Sequence, residues 1–130
     1  MKAHQLSSKN IRGTIALSGV FDLAQGDSQA SVFGKDKQYR RAASPLYHIQ
    51  SLAPPFLISY CQWDYPTLPA QARVFQAALQ KAGVVAQLVF VPRESHISEM
   101  ISITHDDDPT ANAILQFIGP ATSGAAGGLR

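Results

Sequence analysis

The stretch that decides the fold reads FLISYCQWDYPTLPAQARVFQAALQKAGVVAQLVFV and occupies residues 56–91. Its first six residues, Phe56–Cys61, form an apolar run that is typical of a strand buried on both faces. A helical pattern follows over about Leu68–Ala82, and the Val-rich run Val85–Val91 then predicts another strand. Strand, helix and strand in this order predict two parallel strands joined by a helical crossover, which we expect to be right-handed.

The predicted helix has one apolar face and recognisable ends. Thr67, just before its first residue, is of a type that caps helix N-termini, and Gly83 is of the type that follows a C-terminus. Five residues share one side of the helix at helical spacing: Val74, Phe75, Ala78, Leu79 and Ala82. This face is predicted to pack against the sheet.

Further elements are predicted on both sides of this unit. Gly13–Val20 is typical of a buried strand, and residues 21–44 are predicted to be loop with a short irregular helix. Pro92–Met100 is predicted to be a loop, and the last helix is predicted over residues 109–118 with Asp108 as its N-cap. The fold class is therefore α/β, with about three parallel strands and helices on the faces of the sheet.

Composition divides the chain into three parts. A polar lead-in over residues 1–10 and a Gly/Ala/Ser/Thr-rich tail over residues 119–130 are both predicted to be flexible. Residues 11–118 form the folded portion. The full length of 130 residues allows one domain or part of a larger one.

Composition and charge also exclude several functional classes. A formal net charge of +2 gives no strong electrostatic reason to expect a nucleic acid or an anionic membrane as partner. The single cysteine excludes an intrachain disulfide. No stretch approaches the roughly 18 apolar residues of a membrane span, and the N-terminus lacks a secretory pattern. We therefore predict a cytoplasmic protein without a nucleic-acid or membrane partner.

An Asp and a His stand in the loops that leave the second and third predicted strands, where ligands gather in parallel sheets. Asp64 in this place can accept a hydrogen bond from one ring nitrogen of His96 and fix its tautomer. The other nitrogen is then free to take a proton from a nucleophile. Residue types alone leave the alternatives open, because an Asp in a turn also serves as a turn former and a loop His is commonly a solvated side chain.

Three residues near Asp64 in the sequence are of types that could take part in the same site. Trp63 and Tyr65 flank it and are candidates for lining a substrate pocket, with ordinary packing as the alternative. Cys61 lies inside the second predicted strand. A free cysteine in such a place behaves as a small core residue, so we predict that it is not a nucleophile.

Two charged clusters have simpler explanations than a binding site. The run His105–Asp108, together with His96 and Glu99, contains metal-ligand residue types. Acidic residues are also favoured at a helix N-terminus without any metal, so no metal is predicted. The basic cluster Lys35–Arg41 is predicted to be a solvated face.

Most of the chain, from about Ile11 to Ile118, resembles the C-terminal half of the α/β-hydrolase fold, closest to the esterase and kynurenine-formamidase-like branch. The matching pieces, in chain order, are Ser18-Gly19-Val20-Phe21-Asp22-Leu23, Ala43-Ser44-Pro45-Leu46, Ala53-Pro54-Pro55-Phe56-Leu57-Ile58, Trp63-Asp64, the helix Arg73–Gly83, Glu94-Ser95-His96, Asp107-Asp108-Pro109-Thr110 and Ile114–Ile118. The resemblance implies that Asp64 is the acid and His96 the base of a Ser-Asp-His triad, which runs in that order along the chain in this family.

The sequence departs from this family at the nucleophile. The family's Gly-x-Ser-x-Gly elbow would precede the strand that begins near Ile11, and no such motif occurs in the chain. Ser18-Gly19 does not match it, because Ala16 and Val20 stand where the elbow has glycines. The oxyanion-hole loop, which the family places earlier still, has no counterpart either.

The resemblance therefore implies a carboxylic-ester or amide hydrolase that carries acid and base without the serine, and it implies no cofactor. Whether the chain by itself is an enzyme stays open, and the alternative is a non-catalytic α/β binding or interaction module. The first strand would lack its family partner, so its edge would be open. We accordingly predict a homodimer or strand-swapped oligomer, and a small ester or amide substrate where the site is completed.

Overall fold

Three parallel strands form the centre of the computed structural model, which describes residues 10–26 and 29–123. Helices alternate with these strands along the chain. The elements are β1 (Thr14–Leu17), α1 (Ala30–Phe33), α2 (Lys37–Ala42), a 3-10 turn (Pro45–Tyr47), β2 (Phe56–Trp63), α3 (Leu68–Lys81), β3 (Ala86–Ser95), α4 (Ser98–Ser102) and α5 (Pro109–Ser123).

β2 lies in the middle of the sheet, with β1 on one side and β3 on the other. Both pairings are parallel, and Phe56 aligns with Thr14 on one side and with Ala86 on the other. The predicted α/β architecture, three parallel strands with helical cover, is therefore confirmed.

α3 covers one face of the sheet through an apolar stripe. The ring of Phe75 stacks on Phe21 with 4.2 Å between the ring centroids. The buried residues of the helix are Leu68, Gln71, Ala72, Phe75 and Leu79. The placement of Val74 on this face is wrong, because its side chain is 50% exposed. Val74 lies about 100° round the helix from Phe75, which takes it to the flank.

The predicted C-terminal end of α3 is confirmed, whereas the predicted capping role of Thr67 at its N-terminal end is wrong. Gly83 has a φ of +79°, the left-handed conformation that ends a helix, so its predicted role is confirmed. Thr67 makes no side-chain capping bond. Its backbone is already helical, with φ −91° and ψ −19°, whereas a capping side chain reaches the first turn from an extended backbone.

Two elements extend past their predicted ends. β3 continues beyond Val91 to Ser95, and α4 follows at once, so Pro92–Met100 is not the predicted loop. α5 runs to Ser123 because Gly119, unlike Gly83, keeps a right-handed backbone. Of the predicted lead-in and tail, residues 1–9 and 124–130 lie outside the described residues.

The other face of the sheet lies against α4 and α5. Ser59 of β2 is buried there and donates a hydrogen bond of 2.6 Å to Glu99 of α4. The ring of Phe117 on α5 lies so near Gly13 that a Cβ atom at Gly13 would be 2.8 Å from it. No helix of the described residues is long and apolar enough to cross a membrane.

The outer edge of β1 has no strand partner among the described residues. Thr14 and Ser18 donate their backbone N–H groups towards β2. Because hydrogen bonding alternates along a strand, Ile15 and Leu17 direct their backbone polar groups away from the sheet. An apolar groove of about 460 Å³ runs beside this edge and is lined by residues that include Thr14, Ala16, Phe21, Phe56, Phe75 and Leu79.

Candidate active site

The carboxyl ends of the three strands meet at one edge of the sheet, and a polar side chain follows each of them. Ser18 comes directly after β1, Asp64 after β2 and His96 after β3. This edge is where parallel sheets bind ligands. The structure thus brings together the predicted pair Asp64 and His96 and adds Ser18, which the sequence did not indicate as a site residue.

A bulge in β3 sets the position of His96. Cys61 aligns with Val91, but the next aligned pair is Trp63 with Ser95, so β3 holds two residues more than β2 in this interval. Arg93, inside the bulge, has a φ of +61° and donates its backbone N–H to the side-chain oxygen of Gln62 at 2.9 Å. Since a bulge bends its strand, it redirects the end of β3 and the histidine that follows.

Asp64 and His96 form a hydrogen-bonded pair with one buried and one accessible member. Nδ1 of His96 lies 3.0 Å from Oδ1 of Asp64. The Asp64 side chain is 0% exposed, whereas that of His96 is 34% exposed. When Nδ1 carries the hydrogen of the neutral ring and donates it to this carboxylate, Nε2 is left as an acceptor. No residue in the described part of the chain forms a hydrogen bond with Nε2 of His96.

Both oxygens of Asp64 are occupied by further donors. The backbone N–H of Cys61 donates to Oδ2 at 3.1 Å, and that of Tyr65 donates to Oδ1 at 3.2 Å. Oγ of Ser18 lies 2.7 Å from Oδ2. With donors on both oxygens, the carboxylate has a fixed orientation and fixes that of the imidazole in turn.

A second buried carboxyl group lies behind Asp64. It belongs to Glu99 of α4, which is 0% exposed and whose Oε2 lies 2.9 Å from Oγ of Ser18. Its other oxygen accepts hydrogen bonds from Ser59 at 2.6 Å and Thr110 at 3.3 Å. The sequence marked Glu99 only as a metal-ligand residue type, because the burial of one glutamate in a short helix leaves no pattern along the chain.

Ser18 supports the acid and does not face the base. Its φ of +46° is uncommon for a residue other than glycine. Its hydroxyl group meets the Asp64 oxygen that does not bind His96. Among the hydrogen bonds of the described residues, none joins Ser18 to His96.

A pocket of about 300 Å³ opens beside His96. Tyr65 lines it, and its ring centroid lies 4.9 Å from that of the imidazole. Trp63, predicted as a pocket residue together with Tyr65, is 61% exposed and does not line this pocket. Six of the eight lining residues have polar side chains, and none of the eight is an acid, a lysine or an arginine: Val20, Gln25, Gln29, Tyr65, Thr67, Leu68, Gln71 and His96.

Cys61 is a buried core residue, as the sequence predicts. It is 1% exposed and lies 3.5 Å from Oγ of Ser18. Burial raises its pKa to about 12. Because the thiolate is the nucleophilic form, this thiol is unreactive near neutral pH.

The acidic run before α5 serves the helix. Oδ1 of Asp108 accepts the backbone N–H of Ala111 at 2.7 Å, which is the predicted N-cap interaction. Within residues 10–26 and 29–123, no three His, Cys, Asp or Glu side chains are grouped so as to hold a metal ion.

The sequence predicts that the basic cluster Lys35–Arg41 is a solvated face, and for Arg40 this prediction is wrong. Arg40 is 1% exposed, and its Nη1 donates hydrogen bonds to the carbonyl oxygens of Leu23 and Gly26. A buried guanidinium group needs such acceptors, so this residue fastens the loop after β1.

The chain is similar to known proteins over most of its length. A family model described as the prolyl oligopeptidase family matches residues 12–119. Esterase LipQ of Mycobacterium tuberculosis is 32% identical over 79 residues, which are 61% of this chain and 19% of the esterase. The chain thus spans about a fifth of the length of this curated relative.

Solved structures show the same fold. The apo form of esterase 2 from Thermogutta terrifontis superposes with a TM-score of 0.62 at 20% identity, covering 92% of this chain and 44% of that one. An acylaminoacyl peptidase from Pyrococcus horikoshii gives 0.60 at 18% identity, covering 69% and 17%. These likenesses confirm the fold predicted from the sequence.

Proposed function

Because the chain belongs to the prolyl oligopeptidase family, we propose that it is the acid- and base-bearing portion of a serine-type hydrolase of carboxylic esters or amides. The observation that carries this proposal is the Asp64–His96 pair, joined at 3.0 Å where parallel strands end. The similar proteins include an esterase and an acylaminoacyl peptidase, which supports an ester or amide carbonyl group as the target.

In the proposed mechanism His96 is the general base and Asp64 its positioning partner. Nε2 of His96 takes the proton of the nucleophile as that group attacks the carbonyl carbon, and later gives the proton to the leaving group. Asp64 holds the Nδ1–H tautomer and stabilises the imidazolium ion that forms. Tyr65 lines the pocket in which the substrate would lie beside His96.

We infer that the nucleophile comes from outside these 130 residues. The sequence contains no Gly-x-Ser-x-Gly motif. The two buried nucleophile types nearest the pair, Ser18 and Cys61, lie on the Asp64 side and not at Nε2 of His96. Since triad members act as a unit, the chain alone is expected to retain little catalytic acceleration.

One observation favours the alternative, a non-catalytic α/β binding or interaction module. No hydroxyl or thiol group of the described residues meets Nε2 of His96, while the open edge of β1 and its apolar groove offer a surface for another polypeptide. On either proposal a second copy of the chain is a candidate for covering this edge.

Hydrolysis of a short-chain p-nitrophenyl ester by the purified chain separates the two proposals. Because the nucleophile is missing and triad members act as a unit, we expect only a slow rate, from water activated by His96, that falls by no more than a few-fold in His96→Ala and in Asp64→Asn. His105→Ala is the matched control, since this histidine is exposed in the loop before α5 and should leave the rate unchanged. A wild-type rate no higher than that of His96→Ala would reject the enzymatic proposal for this chain.

A further inference from the structure

The carboxyl groups of Asp64 and Glu99 approach the same hydroxyl group. Oγ of Ser18 lies 2.7 Å from Oδ2 of Asp64 and 2.9 Å from Oε2 of Glu99. Both distances are those of hydrogen bonds, but a serine hydroxyl carries one hydrogen and donates fully to only one acceptor. The second contact is a hydrogen bond only if another proton lies between its two oxygens.

Apart from the Ser18 hydroxyl group, the partners of the Asp64 carboxyl group are N–H groups. Its oxygens face the N–H groups of Cys61, Tyr65 and His96, at 3.0 to 3.2 Å. An N–H group donates and cannot accept, so a proton on Asp64 would displace one of these bonds or point at Ser18. Donors of this kind stabilise a carboxylate.

The environment of Glu99 is of the opposite kind. Its partners are the hydroxyl groups of Ser18, Ser59 and Thr110, which both donate and accept. No lysine, arginine or histidine of the described residues pairs with it, and its side chain is 0% exposed. A buried charge without a cation is costly, and the neighbouring Asp64 carboxylate adds repulsion.

We propose that Asp64 and Glu99 share one proton, and that Glu99 holds it. A hydrogen-bond chain then runs in one direction, from the Glu99 carboxyl hydrogen to Oγ of Ser18 and from the Ser18 hydrogen to Oδ2 of Asp64. Every hydrogen in the chain has one donor and one acceptor. Because each bond polarises the next, the neutral Glu99 strengthens the bond that Ser18 gives to Asp64.

Ser18 and Glu99 are in this view positioning residues for the acid. They hold one oxygen of Asp64 so that the other remains aimed at Nδ1 of His96. This consequence for catalysis rests on the proposed function, whereas the place of the proton does not depend on any activity.

Infrared spectroscopy of the full chain at neutral pH tests the proposal, because a carboxylic acid and a carboxylate absorb at separate positions. The wild-type chain should show one carboxylic-acid band, and labelling glutamate side chains with ¹³C should shift it. Glu99→Gln should lose the band and remain folded, since the amide donates to Ser18 and accepts from Ser59.

Glu94→Gln is the matched control. Hydrogen bonds from Ser98 and Ser102 lower the pKa of Glu94, so its carboxyl group is ionised at neutral pH and its removal should leave the band unchanged. A band that shifts with labelled aspartate, or no acid band at all, would overturn the proposal. The isotope experiment needs no variant and remains decisive if Glu99→Gln does not fold. An inactive chain would reject catalysis by this chain alone without affecting this result.

Discussion

Asp64 receives hydrogen bonds from the end of β1, from its own strand-loop junction and from the loop after β3. Two of these donors are distant from Asp64 in the sequence: His96 is 32 residues away and Ser18 is 46 residues away. Only folding brings them together. The residue-level geometry therefore depends on the sheet, and the sheet in turn encloses a polar cluster that must be fully hydrogen-bonded to be tolerated.

Cys61 gives a residue-scale prediction with a defined pH window. Burial raises the pKa of its thiol from 9.0 to about 12, so the folded chain holds this proton more tightly than the unfolded chain does. The contribution to stability is complete below pH 9 and is lost as the pH rises towards 12. A thiol reagent should label the native chain far more slowly than the urea-unfolded chain at pH 8. Equal labelling rates would contradict the buried position.

At the scale of elements, α3 stabilises the sheet and the bulge in β3 positions the candidate site. α3 supplies the apolar stripe that buries one face of the sheet, and its order of burial follows helical spacing from Leu68 to Leu79. The bulge interrupts the regular pairing of β3 with β2 over the segment from Val91 to Ser95. It also directs the end of β3 so that His96 meets Asp64. Helical spacing can be recognised in the sequence of one segment. A bulge cannot, because it is a mismatch in the number of residues between two paired strands.

Two substitutions on α3 test which face is buried. Leu79→Ala removes a side chain that is 1% exposed and should lower the free energy of unfolding by about 2–5 kcal/mol, through lost burial and a cavity. Val74→Ala removes one that is 50% exposed and should change stability by less than about 1 kcal/mol. Urea denaturation followed by circular dichroism measures both. A larger loss for Val74→Ala would mean that the helix is rotated.

At the scale of the whole molecule, the main feature left to explain is the outer edge of β1, which pairs with no strand in residues 10–26 and 29–123. Ile15 on this strand is 37% exposed, and the groove beside the strand is apolar. The chain covers less than half of the solved structures it resembles, 44% of one and 17% of another. An open edge next to apolar surface is a template for pairing with another polypeptide.

We predict that a second copy of the chain covers this edge in solution. Sedimentation of the wild-type chain should show a dimer or a higher species, and Ile15→Lys should shift it towards monomer because a lysine blocks edge pairing. Val85→Lys is the control, since Val85 is 63% exposed and lies outside β1. A wild-type chain that stays a folded monomer at high concentration would contradict this prediction.

The sequence by itself determined the order and type of the main elements, and it predicted that Asp64 and His96 follow β2 and β3 at the same edge of the sheet. The spacing of apolar residues and the residue types at helix ends are local properties of the sequence. The meeting of the carboxyl ends of parallel strands follows from the order of the elements. Only the tertiary structure decided that Ser18 and Glu99 join Asp64, that β3 bulges before His96 and that Arg40 is buried. These features depend on which distant side chains share one desolvated space, and that is settled by packing in three dimensions.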